Sequence, residues 1–462
     1  MATAATGISA RQSQTTVESD TSIVGVDEGL IRALGVRAFA ANIVNLIVGS
    51  GIFVLPAAVA GILGNQAILA YLLCAIGMGL VTLCFAELGS RVTRSGGTYA
   101  YIEAAFGPRV GFIAGFLIWF GGDVISGAAV GVLVVDSLMA LLGIQASALL
   151  RGAVLIALFA ALALANIRGV KTGAKLVEVL TAAKLIPLVL LIFAGFYHSD
   201  PQNFAWSGFP SIQDLGRSTL ILVFVFSGTE GAINSNGEVK TPATTIPRAI
   251  MLAMLIVTSL YIGVQLSAQG ILGPELAHED RAPLAAAAGK AFGSGGRQFI
   301  ATAVLISTLG FLTGSMLAIP RILFAFARDG SVPRVFASIH PRFRTPHIAI
   351  VTHAALGAAL ALTGTFSALA VLSVLPTLVV YFGCCVATLK LRRRDNAAHT
   401  PESFRIPGGA TVPVAAILFV LWLFSTATLM ELVVVLGIAA LAYTLRTVTR
   451  WYEHGESIHA IR

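Results

Sequence analysis

Three ionisable side chains lie in places where a charge is expensive. Lys184 in KLVEVLTAAKLIPLVLLIF, Asp123 in FLIWFGGDVISGAAVG and Glu230 in LILVFVFSGTEGAINSNGE each interrupt a strongly apolar run. A charge inside such a run marks a substrate or ion path by default. Nearby chemistry of another kind is offered by NLIVGSGIFVLP, residues 45–56, where Gly49, Ser50 and Gly51 sit near the centre of an apolar run and Pro56 follows. Glycine in a helix interior costs roughly 1 kcal/mol against alanine, and carbonyls left unmet in hydrocarbon cost several more. Interrupting a helix there exposes N–H groups at the start of one half and carbonyls at the end of the other, each with the partial charge of a helix terminus. The N–H groups of Ser50, Gly51 and Ile52 can receive a carboxylate, glycine letting it approach the backbone. Carbonyls near Ile47 and around Phe226 and Ser227 can receive an ammonium. The predicted chemistry is binding of a zwitterion by main-chain dipoles, with no bond made or broken.

A second interruption supports this reading. In residues 220–238 an apolar half ends at Phe226 and is broken by Ser227, Gly228, Thr229, Glu230 and Gly231. Paired glycine-interrupted segments at corresponding positions of two chain halves point to the binding site of an inverted-repeat transporter. The alternative, that GSG only supplies small residues for close helix packing, explains one break but not the pair.

Lys184 lies nine residues beyond Lys175, which a rise of 1.5 Å per residue converts to about 14 Å of depth. Its stem is short of that distance, so snorkelling explains it poorly. A lysine able to gain and lose a proton there could hold the first-span carbonyls together when charged and loosen them when neutral, which predicts proton coupling. Glu230 could serve gating, proton exchange or recognition of a substrate amine, or could simply cap the second half-helix. Asp123 could pair with Lys184, bind a cationic substrate side chain, or face a polar crevice. Thr313 and Ser315 in the eighth span could complete the surroundings of Lys184, although such hydroxyls often bond only their own helix.

The elements that must position these groups follow from composition. The chain has 462 residues, 56% hydrophobic and 11% charged, against about 25% charged in soluble domains. At about 20 residues per crossing, the apolar runs predict twelve spans beginning near Ala38, Ala67, Val110, Leu149, Leu176, Leu215, Ile250, Phe299, Ile348, Leu369, Val412 and Leu432. An even count puts both termini on one side. With the tails inside, the cytoplasmic segments hold 24 of the 30 Lys and Arg, as the positive-inside rule requires. The formal charge of +8 is thus topological, and a nucleic-acid partner is not implied. Residues 1–33 form a Ser/Thr/Ala-rich tail without a cleavable signal, expected to be disordered and cytoplasmic; a tail at 451–462 is expected to be cytoplasmic too. Cys74, Cys84, Cys384 and Cys385 all fall in apolar spans, so neither a disulfide framework nor a zinc site is predicted. No Walker A, GxSxG or HExxH pattern occurs, and no enzyme activity, metal or cofactor is expected. The stretch 95–107, SGGTYAYIEAAFG, reads as a short amphipathic helix near the inner surface, with Tyr99 and Tyr101 as interfacial anchors.

Four ordered segments carry a resemblance: NLIVGSGIFVLP, FAELGSRVTRSGGTYAYIEAAFGP, FVFSGTEGAINSNGEVKTPATTIPRAI and FARDGSVPRVFASIHPRFRTPHIAI. Together they resemble the amino acid-polyamine-organocation (APC) transporters from about Leu34 to Arg450. The resemblance implies an all-α integral membrane protein with two inverted five-helix repeats (the LeuT-like fold), here 34–198 and 199–394, and two further helices over 395–450. It implies discontinuous first and sixth helices and alternating access to a central amino-acid site. By the same resemblance Gly49, Ser50 and Gly51 bind the substrate carboxylate, Phe226, Ser227 and Glu230 lie at the sixth-span break, and Lys184 occupies the place where sodium-using relatives hold the ion. Glu87 with Arg91 and Arg94, and Arg328 with Asp329, resemble the family's structural or gating charges. Relatives that join a single-span glycoprotein do so through a cysteine between the third and fourth spans; GIQASALLR has none, so no disulfide-linked subunit is expected. The function implied is secondary active amino acid transport in a bacterial inner membrane, coupled to protons. The rivals are an amino acid or polyamine exchanger without such coupling and a transporter-like sensor or channel. Asp123 tilts substrate choice toward cations, whereas GTEGA fits small neutral substrates.

Overall fold

The computed structural model describes residues 34–92, 97–145, 147–169, 174–206, 208–233, 239–279, 282–398 and 404–459. The expected tail at 1–33, Arg94 and the end of the carboxyl tail lie outside them. The described residues are helical apart from connectors and one isolated bridge between Leu34 and Val239. Seventeen α-helices are α1 (Val36–Ile47), α2 (Gly51–Leu63), α3 (Ala67–Arg91), α4 (Gly97–Phe106), α5 (Pro108–Phe116), α6 (Ile125–Leu141), α7 (Ala148–Arg168), α8 (Ala174–His198), α9 (Ile212–Phe226), α10 (Thr229–Ile233), α11 (Pro242–Leu272), α12 (Pro283–Ala318), α13 (Pro320–Arg328), α14 (His347–Thr363), α15 (Phe366–Ala398), α16 (Thr411–Ser425) and α17 (Leu429–His459).

Among the described residues, seven helical stretches are long and apolar enough to cross a membrane, and four shorter apolar helices accompany them. The difference from twelve expected crossings has a physical origin in length and interruption. The first expected crossing is split between α1 and α2, the sixth between α9 and α10, and α14 and α16 have 17 and 15 residues. Of the fifth, the apolar stretch described runs from Lys184 to His198.

The core is apolar, with Phe39, Phe53, Phe85 and Phe226 fully buried. Yet many large apolar side chains face outward, among them Phe196, Leu149, Phe209 and Leu429, as a lipid-facing surface requires. Close helix approach uses small residues. Phe159 of α7 fits between Gly131 of α6 and Gly357 of α14, where an added Cβ would stand 2.7 and 2.8 Å from its ring. Helix α11 packs along α3, α1 and α8, while α15 packs along α6 and the segment before it. That segment, Leu117–Val124, is π-helical, a rare form that is frequent at functional sites.

Two ion-pair clusters fasten the helices. Glu87 on α3 is fully buried and accepts from Arg91 at 2.7 Å, from Arg392 Nε of α15 at 2.6 Å and from the Ile406 N–H at 2.9 Å. Arg217 on α9 grips Glu431 on α17 through two hydrogen bonds of 2.7 and 2.9 Å. The Arg328–Asp329 pair, by contrast, is exposed. One expectation is overturned: α4 is packed within the fold rather than lying on its surface. Tyr101 is fully buried, Tyr99 meets Phe326 edge-on at 6.2 Å, and Ile102 lies against Gly383 of α15. Gly383 of α15 makes room for Ile102 of α4, so the helix lies close against α15 and its tyrosines serve packing.

Candidate functional site

Both glycine-rich interruptions are present as breaks in helical structure, and they touch. α1 ends at Ile47, after which the Gly49 N–H bonds the Ile47 carbonyl at 2.7 Å around Val48 at φ −73°, ψ 81°, an inverse γ-turn. α2 restarts at Gly51. α9 ends at Phe226, with Ser227 extended, and α10 restarts at Thr229. Between them Gly228 adopts φ +130°, and a Cβ there would stand 2.7 Å from the Leu46 carbonyl oxygen. Only glycine meets both demands. The second break is pressed against the end of α1, and α1 lies beside α10 as α2 lies beside α9.

The two glycines of GSG do different work. A Cβ on Gly51 would come within 3.0 Å of Phe224 and 3.1 Å of Val225, so Gly51 is small because α2 and α9 pack there. On Gly49 the nearest atom would be the Ile47 carbonyl oxygen at 3.8 Å. A Cβ at Gly49 would therefore meet no clash, and the first N–H groups of α2 have no intrahelical carbonyl a turn behind them.

Lys184 is buried and does not snorkel. Its Nζ donates to the carbonyls of Asn45 at 2.8 Å and Val48 at 3.1 Å, the negative end of the α1 dipole. An ammonium has three donors, so one further acceptor can be served. The structure adds a partner that the sequence reading missed: the Tyr261 hydroxyl, from α11, stands 2.9 Å from the Ile47 carbonyl and 3.1 Å from the Val225 carbonyl. Its proton is shared between the two broken helices. Tyr261 sits in a largely apolar stretch, VTSLYIGVQLSAQG, where the sequence signal is Tyr261, Gln265 and Gln269 recurring every fourth position among small hydroxyl residues.

Glu230 both caps and connects. Its carboxylate accepts the Gly228 N–H at 3.0 and 3.1 Å and the Tyr381 hydroxyl of α15 at 2.7 Å; that hydroxyl also lies 3.3 Å from Ser227 Oγ. Ser227 itself donates to the Val223 carbonyl at 2.7 Å. Thr229 Oγ1 is buried without a partner among the described residues, leaving a polar atom available beside the break.

Asp123 lies in the π-helical stretch. Gly121 and Gly122 beside it allow close contact with Pro376 and Thr377 of α15, and its carboxylate is an electrostatic neighbour of Glu230. It forms no ion pair with Lys184, whose hydrogen bonds go to α1 carbonyls. Thr313 Oγ1 bonds the Leu309 carbonyl of its own helix at 2.8 Å, and neither it nor Ser315 bonds Lys184 among the described residues. No group of His, Cys, Asp and Glu able to hold a metal ion occurs among the described residues, and their four cysteines are all buried and free.

A family model described as amino acid permease matches residues 34–443. The chain belongs to the amino acid permease family, within the APC superfamily. This permease is 32% identical over 400 residues to the serine/threonine exchanger SteT of Bacillus subtilis (strain 168), covering 85% of this chain and 90% of that protein. It is 27% identical over 424 residues to the branched-chain amino acid permease BcaP of the same organism, covering 86% and 88%. With the large neutral amino acids transporter small subunit 2 of Rattus norvegicus it shares 28% identity over 352 residues, 73% of this chain and 65% of the other. These relatives are transporters and not enzymes.

Proposed function

We propose that this permease is a secondary active amino acid transporter working by alternating access, with proton coupling through Lys184. The observation that carries the proposal is the contact between two helix breaks, where Tyr261 joins the Ile47 and Val225 carbonyls and Gly228 abuts Leu46. In this reading the substrate carboxylate meets the N–H groups of Ser50, Gly51 and Ile52 in front of Gly49. Its ammonium is met by carbonyls around Ile47, Phe226 and Ser227, and Glu230 and Asp123 supply negative potential on the same side. Lys184 holds α1 closed when charged and releases it when neutral. The architecture proposed is twelve crossings, with inverted repeats over 34–198 and 199–394, in an inner membrane with both tails cytoplasmic and no disulfide-linked subunit.

A reading with substrate exchange alone is favoured by the relative named as a serine/threonine exchanger. Proteoliposomes separate the two. An inward pH gradient should drive saturable accumulation of radiolabelled amino acids into empty vesicles; accumulation only after preloading with unlabelled amino acid would favour pure exchange. Absence of saturable uptake under both regimes would point to a sensor or channel and sink the transport reading. Which amino acid is carried can be found by a thermal-shift screen, because a ligand of the folded state raises its melting temperature.

A further inference from the structure

Where α4 turns into α5 and the far end of α17 meets them, three arginines gather at one membrane surface. Arg109 is the second residue of the apolar stretch Pro108–Leu141, while Arg446 and Arg450 fall in the last six residues of Leu429–Trp451. Contacts fix the arrangement. Arg446 Nη1 donates to the Pro108 carbonyl at 2.6 Å, and its guanidinium lies over the Phe112 ring at 5.7 Å. Arg109 follows that carbonyl directly in the chain, and Arg450 stands one turn beyond Arg446 on α17. The side chains of Arg109 and Arg450 are exposed.

Arg446 is the unusual member. Arginines near the ends of membrane helices extend their heads to water, but Arg446 is only 7% exposed and its Nε has no partner among the described residues. A carbonyl and an aromatic face satisfy part of the guanidinium and neutralise none of its charge. The charges acting on it are Arg450 and Arg109, of like sign, and Glu103, whose side chain lies against Gly111 of α5. One acid thus faces three guanidiniums. At the same corner Lys390 lies over the Phe106 ring at 4.7 Å and Arg394 donates to the Ala104 carbonyl at 3.3 Å, which extends the positive field. A charge held out of water in such company requires an opposite charge to meet it. Tyr443 and Trp451, both exposed on α17, are the aromatics expected at headgroup depth.

We propose that Arg109, Arg446 and Arg450 bind the phosphate of an anionic phospholipid in the leaflet on the side of the carboxyl tail, its acyl chains lying along the outward apolar face of α17. Guanidinium forks match phosphate oxygens, and basic pockets between membrane helices take anionic headgroups. Arg446 Nε supplies a donor that no protein acceptor uses. Leu436, Leu441 and Val448, exposed on α17, offer surface to the chains. A soluble phosphate ester has the same headgroup chemistry but no use for that surface. The headgroup ties α17 to α5, and both helices pack on the π-helical stretch that carries Asp123.

Native mass spectrometry of the full-length protein in detergent tests it. Offered equal amounts of phosphatidylglycerol and phosphatidylcholine, wild type should retain phosphatidylglycerol at least roughly tenfold better, and a variant carrying both Arg109→Gln and Arg450→Gln should lose most of that preference. Because both side chains are exposed, the double variant should melt in lipid-free detergent at the wild-type temperature. Arg446→Lys is the second variant: it keeps the charge but loses the fork and Nε, and should weaken retention severalfold. Equal retention of the two lipids by wild type, or phosphatidylglycerol retained undiminished by either variant, would overturn the proposal. Displacement of phosphatidylglycerol by an equal concentration of glycerol 3-phosphate would overturn it as well, by identifying a site for soluble anions.

Discussion

At the scale of single residues, the contrast between Gly49 and Gly228 is the sharpest. Gly228→Ala forces a side chain into φ +130° against the Leu46 carbonyl, a strain of about 1–3 kcal/mol before any clash is relieved. The melting temperature of the purified protein should fall clearly. Gly49→Ala adds a methyl where there is room, so melting should be unchanged, but the stabilisation given by bound amino acid should disappear. Equal effects of the two changes would contradict the separation of packing from binding drawn here. For Lys184, replacement by alanine removes the cation that holds the Asn45 and Val48 carbonyls; uptake driven by a pH gradient should be lost, and any residual exchange should no longer vary with pH. The positions of these residues were legible because glycine clusters and lysines are conspicuous in apolar runs. Their partners were not. Tyr261 and Tyr381 look like ordinary core aromatics in one dimension, and only tertiary packing brings their hydroxyls to the breaks. Nor could the sequence distinguish Gly51, which is small for Phe224 and Val225, from Gly49, which is small for open space.

Among the elements, α9 is the one most visibly held from outside the site. Glu431 and Thr428 form a reciprocal cap at the start of α17, with the Thr428 N–H on the carboxylate at 2.9 Å and the Glu431 N–H 3.4 Å from the threonine hydroxyl, a capping box. The same carboxylate takes both bonds from Arg217. Arg217→Ala should therefore leave a largely buried carboxylate unpaired and destabilise the protein by about 1–3 kcal/mol, below the figure for wholly buried pairs because Arg217 is partly solvated. Glu431→Gln keeps an acceptor for the cap and should cost less, and the exchange of both charges should restore part of the loss. Thermal unfolding of the four proteins checks the order. Helix existence was readable from apolar runs throughout, whereas helix placement was less so: glycine and tyrosine in 95–107 suggested a surface helix, and close approach to α15 buried it. The π-helical turn before α6 had no sequence signal beyond paired glycines next to an acid.

On the scale of the whole molecule, the distribution of Lys and Arg predicts which loops face the cytoplasm, and the buried state of all four cysteines makes the test clean. In intact cells a membrane-impermeant maleimide should label Gln145→Cys, in the connection between α6 and α7, and should leave Ala337→Cys, between α13 and α14, unlabelled until the cells are opened. The reverse pattern would invert the proposed orientation. The general architecture followed from composition because lipid permits few alternatives to helices. The number of crossings was less secure, since spans that are broken or short satisfy length rules only in combination.

The pairing of α2 with α9 and of α1 with α10 also bears on how such a chain changes over generations. Residues from opposite halves of the sequence share each contact, so a substitution at position 51 is tolerable only if 224 or 225 shrinks with it, and position 228 is bound in the same way to the backbone at 46. The two halves of the polypeptide cannot drift apart independently; near the breaks they are under one joint constraint, and a deep mutational scan of both segments together should find the viable double changes concentrated at those pairs.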